Sequence, residues 1–461
     1  MYFPFRTAFA CIALFSLTAC KEDTNRVISQ HTSTLGHDFT LMPITERGVT
    51  DVTIAAAWSS DWMLQTGRNE WVPGLGVNLM LTGGTTDLPP ADIANLLEEK
   101  NSWGNIYVTS DYIYGEVEFP NNYADDVLPV LADLFQRPAF DQAWFDRLQS
   151  QRIEAASGDE KTVGALMWET SRAALLGDTP QLAFQNGTDI DALRAATLDD
   201  VKTWHSASFA YRPAAIVVTG AIDAQAAGDA IDRLLAAPGA APLDPALLLP
   251  PLDVQAKTIF LHLPEAEKST IGVIGLLPPA TDNSAGVDML AINLFGGGAD
   301  SPLFTAIRTD LGATYRMGVE IAAYSRSQRA LVIGGEIETD KMAAARDATL
   351  ASYTTFRTAP DLGMMADLAL RIADSVRQDN VSVSGSAFTI RELLLQGRDP
   401  QDYHALATDF EAITEAQMQA RLINSFPAAS TLMVFGAGPD TSVFPEACVI
   451  AQPHQTAQCL D

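Results

Sequence analysis

The run Thr197-Leu-Asp-Asp-Val-Lys-Thr-Trp-His-Ser-Ala-Ser208-Phe209, followed by the apolar Ala215-Ile-Val-Val218 and Gly220, returns later in the chain as Thr414-Glu-Ala-Gln-Met-Gln-Ala-Arg-Leu-Ile-Asn-Ser425-Phe426, Leu432-Met-Val-Phe435 and Gly436. The offset is 414 − 197 = 217 residues. A second echo lies upstream, where Leu79-Met-Leu-Thr-Gly83-Gly84 matches Ile292-Asn-Leu-Phe-Gly296-Gly297 at 296 − 83 = 213. Each copy reads as a capped helix, a short loop and a buried strand. A period this long cannot be a solenoid repeat, so it implies two duplicated domains.

Coarse periodicity fills in both copies. In the first, Val52 to Trp58, Ile106 to Thr109 and Ile113 to Phe119 have strand character; Gly74 to Thr82, Ala91 to Glu99, Asp125 to Phe135 and Asp141 to Ala156 have helical spacing, with Pro138 as a breaker. In the second, Lys257 to Leu263, Ile271 to Leu276 and Ala330 to Glu336 are strands, and Gly286 to Phe295, Thr339 to Arg357 and Leu362 to Arg377 are helices. Strands grouped apart from runs of helices predict an α+β fold: two homologous domains, each a mostly antiparallel sheet covered by helices on one face. The expected boundaries are a leader at 1–20, a linker at 21–45, the first domain at 46–240, an Ala- and Pro-rich linker at 241–256, the second domain at 257–440 and a tail at 441–461.

Several ordered motifs together resemble pitrilysin/insulinase-type zinc metallopeptidases, the family that includes the mitochondrial processing peptidase. Pro73-Gly74-Leu75 through Met80-Leu81-Thr82-Gly83-Gly84-Thr85 resembles the family's Gly-Leu-…-Met-Leu-…-Gly-Thr helix, and Pro138-Ala139-Phe140 and Tyr211-Arg212-Pro213 occupy recurrent positions. From Leu294 to Tyr315, a glycine triplet (Gly296, Gly297, Gly298) precedes Arg308 and Tyr315, similar to the Gly-rich turn and Arg…Gly-Ala-Tyr of the family's second half. The resemblance spans nearly all of the chain beyond its leader.

The family's chemistry is absent. Its zinc sits on an inverted H-x-x-E-H helix motif, with two histidines on one helix face and a glutamate that activates water. The six histidines here are His31, His37, His205, His262, His404 and His454, and the closest pair is 37 − 31 = 6 positions apart, so no such motif can form. On the matching helix stand Leu75, Gly76, Val77, Asn78 and Leu79, with neither carboxylate nor imidazole. No G-x-S-x-G elbow, Walker A loop, C-x-x-C pair or G-x-G-x-x-G offers another route. His205 beside Trp204, and Trp58, Trp62 and Trp71, are expected to pack; Asp199-Asp200 and Glu98-Glu99 are expected on solvated helix faces.

On spacing alone Arg308 and Tyr315 could equally be structural. The resemblance gives them a role: in members split over two chains, one chain carries the zinc helix while the other supplies the Arg and Tyr that hold the peptide carbonyl. A fixed charge and a phenolic donor suit an oxyanion forming on a partner's metal. Thr314 stands where alanine is usual. The expectation is a non-catalytic, substrate-holding subunit with no cofactor of its own, pairing with an H-x-x-E-H homologue that brings zinc; the alternative is a peptidase-fold binding or scaffold lipoprotein.

The N-terminus adds location. Arg6, the apolar Ala8 to Leu17 and Leu17-Thr18-Ala19-Cys20 read as a leader ending in a bacterial lipobox, with lipid on Cys20; the other reading is an ordinary cleaved signal that ends in Cys. Lys21 and Glu22 follow without an aspartate, which by resemblance to Gram-negative lipoproteins favours the outer membrane, facing the periplasm. In that oxidising compartment Cys448 and Cys459 are expected to pair, the alternative being two free thiols. The net charge of −28 argues against nucleic acid as a partner; it fits solubility in a salty habitat or attraction of basic peptides.

Overall fold

Strands buried on both faces read as unbroken apolar runs, and the four central ones here do so. The computed structural model describes residues 26–460 apart from positions 66, 159–160, 178, 188, 244–251, 253, 281–283 and 314–316. The strands of the first sheet are Ser29–Thr32 (β1), Asp38–Pro43 (β2), Asp51–Ser59 (β3), Trp103–Val108 (β4), Tyr112–Pro120 (β5) and Ala215–Gly220 (β6); those of the second are Thr258–His262 (β7), Ser269–Leu277 (β8), Met317–Ala323 (β9), Arg329–Ile337 (β10), Met433–Gly438 (β11) and Cys448–Ile450 (β12). Their orders are β1-β2-β6-β3-β5-β4 and β12-β7-β11-β8-β10-β9. All neighbours run antiparallel except β2 with β6, β7 with β11 and β12 with β7. Five strands therefore correspond one for one, and this is the two-domain α+β architecture expected from the repeat.

The repeat is also visible in its caps. Thr197 and Asp200 form a capping box on the helix Leu198–Ser208, and Thr414 and Gln417 form the same box on Glu415–Asn424, at 414 − 197 = 217 and 417 − 200 = 217. Each satisfies orphan N–H groups at a helix start, worth about 1 kcal/mol. Both helices then pack against their own sheets, Val201 and Trp204 in the first core, Met418 and Leu422 in the second.

Each sheet's own helices lie on one face. The other face receives a helix from the other half. Ala387, Ile390 and Leu393 of the helix Val383–Leu395 pack on Met42, Ala55 and Val217 of the first sheet. Reciprocally, Met167, Ala174 and Leu175 of Val163–Leu176 pack on Ile259, Ile274, Val332 and Phe435 of the second. These two helices are themselves repeat copies, at 383 − 163 = 220. Glycines make room for the second contact: a Cβ on Gly334 would lie 2.9 Å from Trp168 Cη2, and one on Gly272 2.9 Å from Met167 Sδ.

Two expected boundaries are corrected. The 21–45 segment is not a linker, because β1 and β2 lie within it and β2 is the parallel neighbour of β6. The polar Ser29-Gln-His-Thr32 hides an edge strand, whose outward groups need no apolar alternation. The 441–461 tail likewise supplies β12, an edge strand of three residues. Most of the 241–256 linker, and Cys20, fall outside the described residues.

Candidate substrate-contact turn and the helix at the metal position

The segment that resembles the family's zinc helix forms the helix Val72–Thr82. Leu75 and Leu79 are buried in the first core. Gly76 lies under the fully buried Trp204: a Cβ there would stand 2.3 Å from the indole Cζ3, so only glycine admits the ring. The Trp204 indole N–H finds no hydrogen-bond acceptor among the described residues. Asn78 Nδ2 donates to the Gly74 carbonyl of its own helix at 2.6 Å. Zinc requires three or four imidazole, thiolate or carboxylate donors. Two leucines, a glycine and a neutral amide bonded to backbone do not fit it. Among the described residues no group of three or more His, Cys, Asp or Glu could hold a metal ion.

His205, next to Trp204, is a packing residue. Its ring lies against Phe140 and Phe209, and Nε2 bonds the Phe135 carbonyl at 2.8 Å. Burial lowers its pKa, opposed by that carbonyl. Trp58 and Trp62 are buried, and Trp71 is half-buried with its N–H on the Asp189 carbonyl.

In the second half the glycine turn follows the helix Ser284–Gly296. Gly296 is required by packing, since a Cβ would meet Val319 Cγ2 of β9 at 2.5 Å; Gly297 is held against its own helix, donating to the Asn293 carbonyl at 2.8 Å; Gly298 faces open space. Ser301 caps Pro302–Phe304, which runs into a π-helical turn, Thr305–Asp310. Arg308 lies on that turn, exposed, its guanidinium 4.8 Å above the Phe304 ring. Wide turns of this kind are frequent at functional positions. The exposed Gly297 and Gly298 precede, and the exposed Arg308 follows, the pair Leu303 and Phe304, of which Leu303 lies against Gly296 and Phe304 under Arg308. Tyr315 lies outside the described residues, so its approach to Arg308 is not part of this geometry.

The structure brings together a second group that the sequence did not reveal, at the junction of the halves. Arg391 donates to Glu116 Oε1 at 2.8 Å and to the Tyr107 hydroxyl at 3.2 Å, and lies 4.4 Å over the Tyr114 ring. Burial opposes the Arg391 charge, yet Tyr107, Glu392 and Glu116 outweigh it and raise its pKa; burial pushes Tyr107 up to about 12 and raises Glu392. Nearby the two corresponding hairpin turns meet. The Arg326 amide donates to Asp111 Oδ2 at 2.6 Å, its guanidinium donates to Tyr112 OH, and Gln181 Nε2 donates to the Tyr324 carbonyl and Gln328 Oε1. No single-chain signal could have found these pairs, because their partners are 143 residues apart for Gln181 with Tyr324 and up to 284 for Arg391 with Tyr107. Their chemistry is that of a rigid joint.

Comparison with known proteins agrees with this geometry. Residues 195–360 match the family model described as the peptidase M16 inactive domain. The curated relative "Non-peptidase homolog YmxG" of Helicobacter pylori is 26% identical over 141 residues, which is 31% of this chain and only 32% of that relative's length. Among solved structures, a peptidase M16 inactive domain from Pseudomonas fluorescens superposes with a TM-score of 0.78 at 15% identity, over 90% of this chain and 98% of that one. The periplasmic protease PqqL of Escherichia coli superposes at 0.66 and 16% identity, over 94% of this chain and 50% of that one. The inactive-domain pattern in residues 195–360, the matching two-domain fold over nine-tenths of the chain and the leucines on the helix that resembles the family's zinc helix together support a non-catalytic member of the pitrilysin-type peptidase family.

Proposed function

We propose that this chain is the substrate-holding subunit of a two-chain zinc peptidase of the bacterial cell envelope. It would be lipid-anchored through Cys20, face the periplasm and pair with an H-x-x-E-H homologue that supplies the metal. The observation that carries this reading is the contrast between two turns of the same repeat. The first-half helix is packed shut around Gly76 and Trp204, while the second-half turn keeps Gly298 and Arg308 open to solvent.

Arg308, together with Tyr315, would hold the peptide carbonyl while the partner's metal-bound water attacks. Its part is electrostatic, and proton transfer and metal chemistry belong to the partner. Capture of the tagged lipoprotein from solubilised envelopes should recover an H-x-x-E-H chain at equal stoichiometry. In that purified pair, Arg308→Ala with assembly intact should lower turnover by about 10²-fold, the scale for losing one oxyanion donor. Unchanged turnover removes the role of Arg308; recovery without any catalytic homologue points to a binding or scaffold lipoprotein.

A further inference from the structure

Arg26, the first of the described residues, is firmly held. Arg26 donates to Glu46 through Nε at 2.9 Å and Nη2 at 3.1 Å, and through Nη1 to the Asn380 carbonyl at 3.2 Å. That carbonyl also accepts from Ser386 Oγ and Tyr403 OH, and the Asn380 side chain accepts from Thr389 Oγ1 at 3.0 Å. The backbone on either side of Asn380 therefore has little freedom. Yet the residues next to these two anchors, Val27 and Val381, are 63% and 73% exposed, more than any other large apolar side chain among the described residues. Single exposed valines are ordinary on a protein surface. These two each follow, in sequence, a residue of the same hydrogen-bonded node, so both project from a fixed part of the backbone.

Its place in the fold gives it a meaning. Only 26 − 20 = 6 positions separate Arg26 from Cys20, so even a fully extended chain reaches about 20 Å. The node lies at one end of the first sheet: Glu46 is in the connection from β2 to β3, and Thr219 at the end of β6 donates to the Val383 carbonyl at the start of the helix laid along β3. At the other end of that helix, Leu395 packs with Tyr112 and Tyr114 near the joint between the halves. We infer that the end of the molecule carrying Arg26, Val27 and Val381 rests on the membrane that holds the lipid of Cys20, with the two valines entering the headgroup layer. The inference rests on the lipid attachment proposed above. It sets the first sheet upright on the bilayer, with its joint to the second half at the far end of β3, roughly 30 Å away for nine residues of strand. The short tether supplies high local concentration, so the valines need add only a small apolar contribution to orient the body.

The test uses the lipidated full chain in phosphatidylethanolamine and phosphatidylglycerol vesicles whose acyl chains carry bromine quenchers. An environment-sensitive fluorophore on Val381→Cys should be quenched several-fold more than the same fluorophore on Ile423→Cys, an exposed position of the second half. A long Gly/Ser spacer inserted between Cys20 and Arg26 should shrink that difference. Equal quenching at both positions in vesicle-bound protein overturns the inference while leaving the anchor intact. An N-terminal peptide mass without lipid on Cys20 overturns the anchor and the inference together.

Discussion

The helix Val72–Thr82 meets Leu198–Ser208 through Gly76 and Trp204; in the other half, Ser284–Gly296 meets Glu415–Asn424 through Asp288 and Arg421. The two repeat offsets carry Leu75 onto Asp288 (75 + 213 = 288) and Trp204 onto Arg421 (204 + 217 = 421), so this is one helix crossing built twice, with the partner of the second helix shifted by one residue, from Gly76 in the first half to the Leu75 position in the second. In the first half it is apolar, an indole laid on bare backbone. In the second it is ionic: Arg421 donates to Asp288 Oδ1 at 2.7 Å and Oδ2 at 2.8 Å, Arg329 adds a third bond at 3.0 Å, and the Asp288 side chain is fully buried. Duplication preserved the helix crossing and left its chemistry free to diverge. Each solution turns this helix face to internal packing: Leu75 and Leu79 are apolar core residues, and the Asp288 carboxylate is taken up by Arg421 and Arg329.

The largest effect should come from breaking the ionic copy. Asp288→Ala leaves the buried Arg329 and the half-buried Arg421 without this counter-ion, and urea unfolding should show a loss of about 3–5 kcal/mol. Trp204→Ala in the apolar copy should cost a similar amount, about 3–5 kcal/mol, but through a cavity, so its loss should be insensitive to salt. Next comes the asymmetry at the sheet edges. β1 needs no crosslink, whereas β12 is held by the Cys448–Cys459 disulfide, with a Cα–Cα distance of 5.7 Å. Cys448→Ser with Cys459→Ser should cost about 2–4 kcal/mol, read as a lower denaturant midpoint.

A smaller contrast lies at Gly76 and its counterpart Met289 (76 + 213 = 289), which is 47% exposed. Gly76→Ala forces Trp204 aside and should cost about 1–3 kcal/mol, whereas Met289→Ala should stay within about 0.5 kcal/mol. The smallest effect is pH dependence. The folded pKa of His205 lies below its ordinary 6.5, so the neutral ring is favoured in the folded state; that stability is complete above pH 6.5 and is lost as the pH falls through the lower folded value. Its counterpart is the buried Leu422 (205 + 217 = 422). His205→Leu should therefore flatten stability against pH just below 6.5, measured by thermal unfolding.

The repeat, the capped helices and the missing zinc motif were all legible in the sequence, because each is a local pattern of caps, apolar spacing or residue type. Asp288 with Arg421 and Arg329 was not, since a buried ion pair joins residues that look like ordinary surface charges along the chain. Nor could spacing show which sheet the helices Val163–Leu176 and Val383–Leu395 would cover: both are simply amphipathic, and their sheets lie in the other half. Of the turn, Gly296 and Gly297 have packing reasons that the structure supplies, and Arg308 is exposed.

The exchange of those two helices bears on how such a chain matures. A polypeptide made N-terminus first delivers all six strands of the first sheet by Gly220, but the helix that closes their second face arrives only with Val383–Leu395. For some 160 residues, 383 − 220 = 163, the sheet presents Met42, Ala55 and Val217 uncovered. Neither half can complete its core alone, so folding is deferred until nearly the whole chain has been made, and in that interval, or in a truncated product, the apolar sheet face stands open to a chaperone.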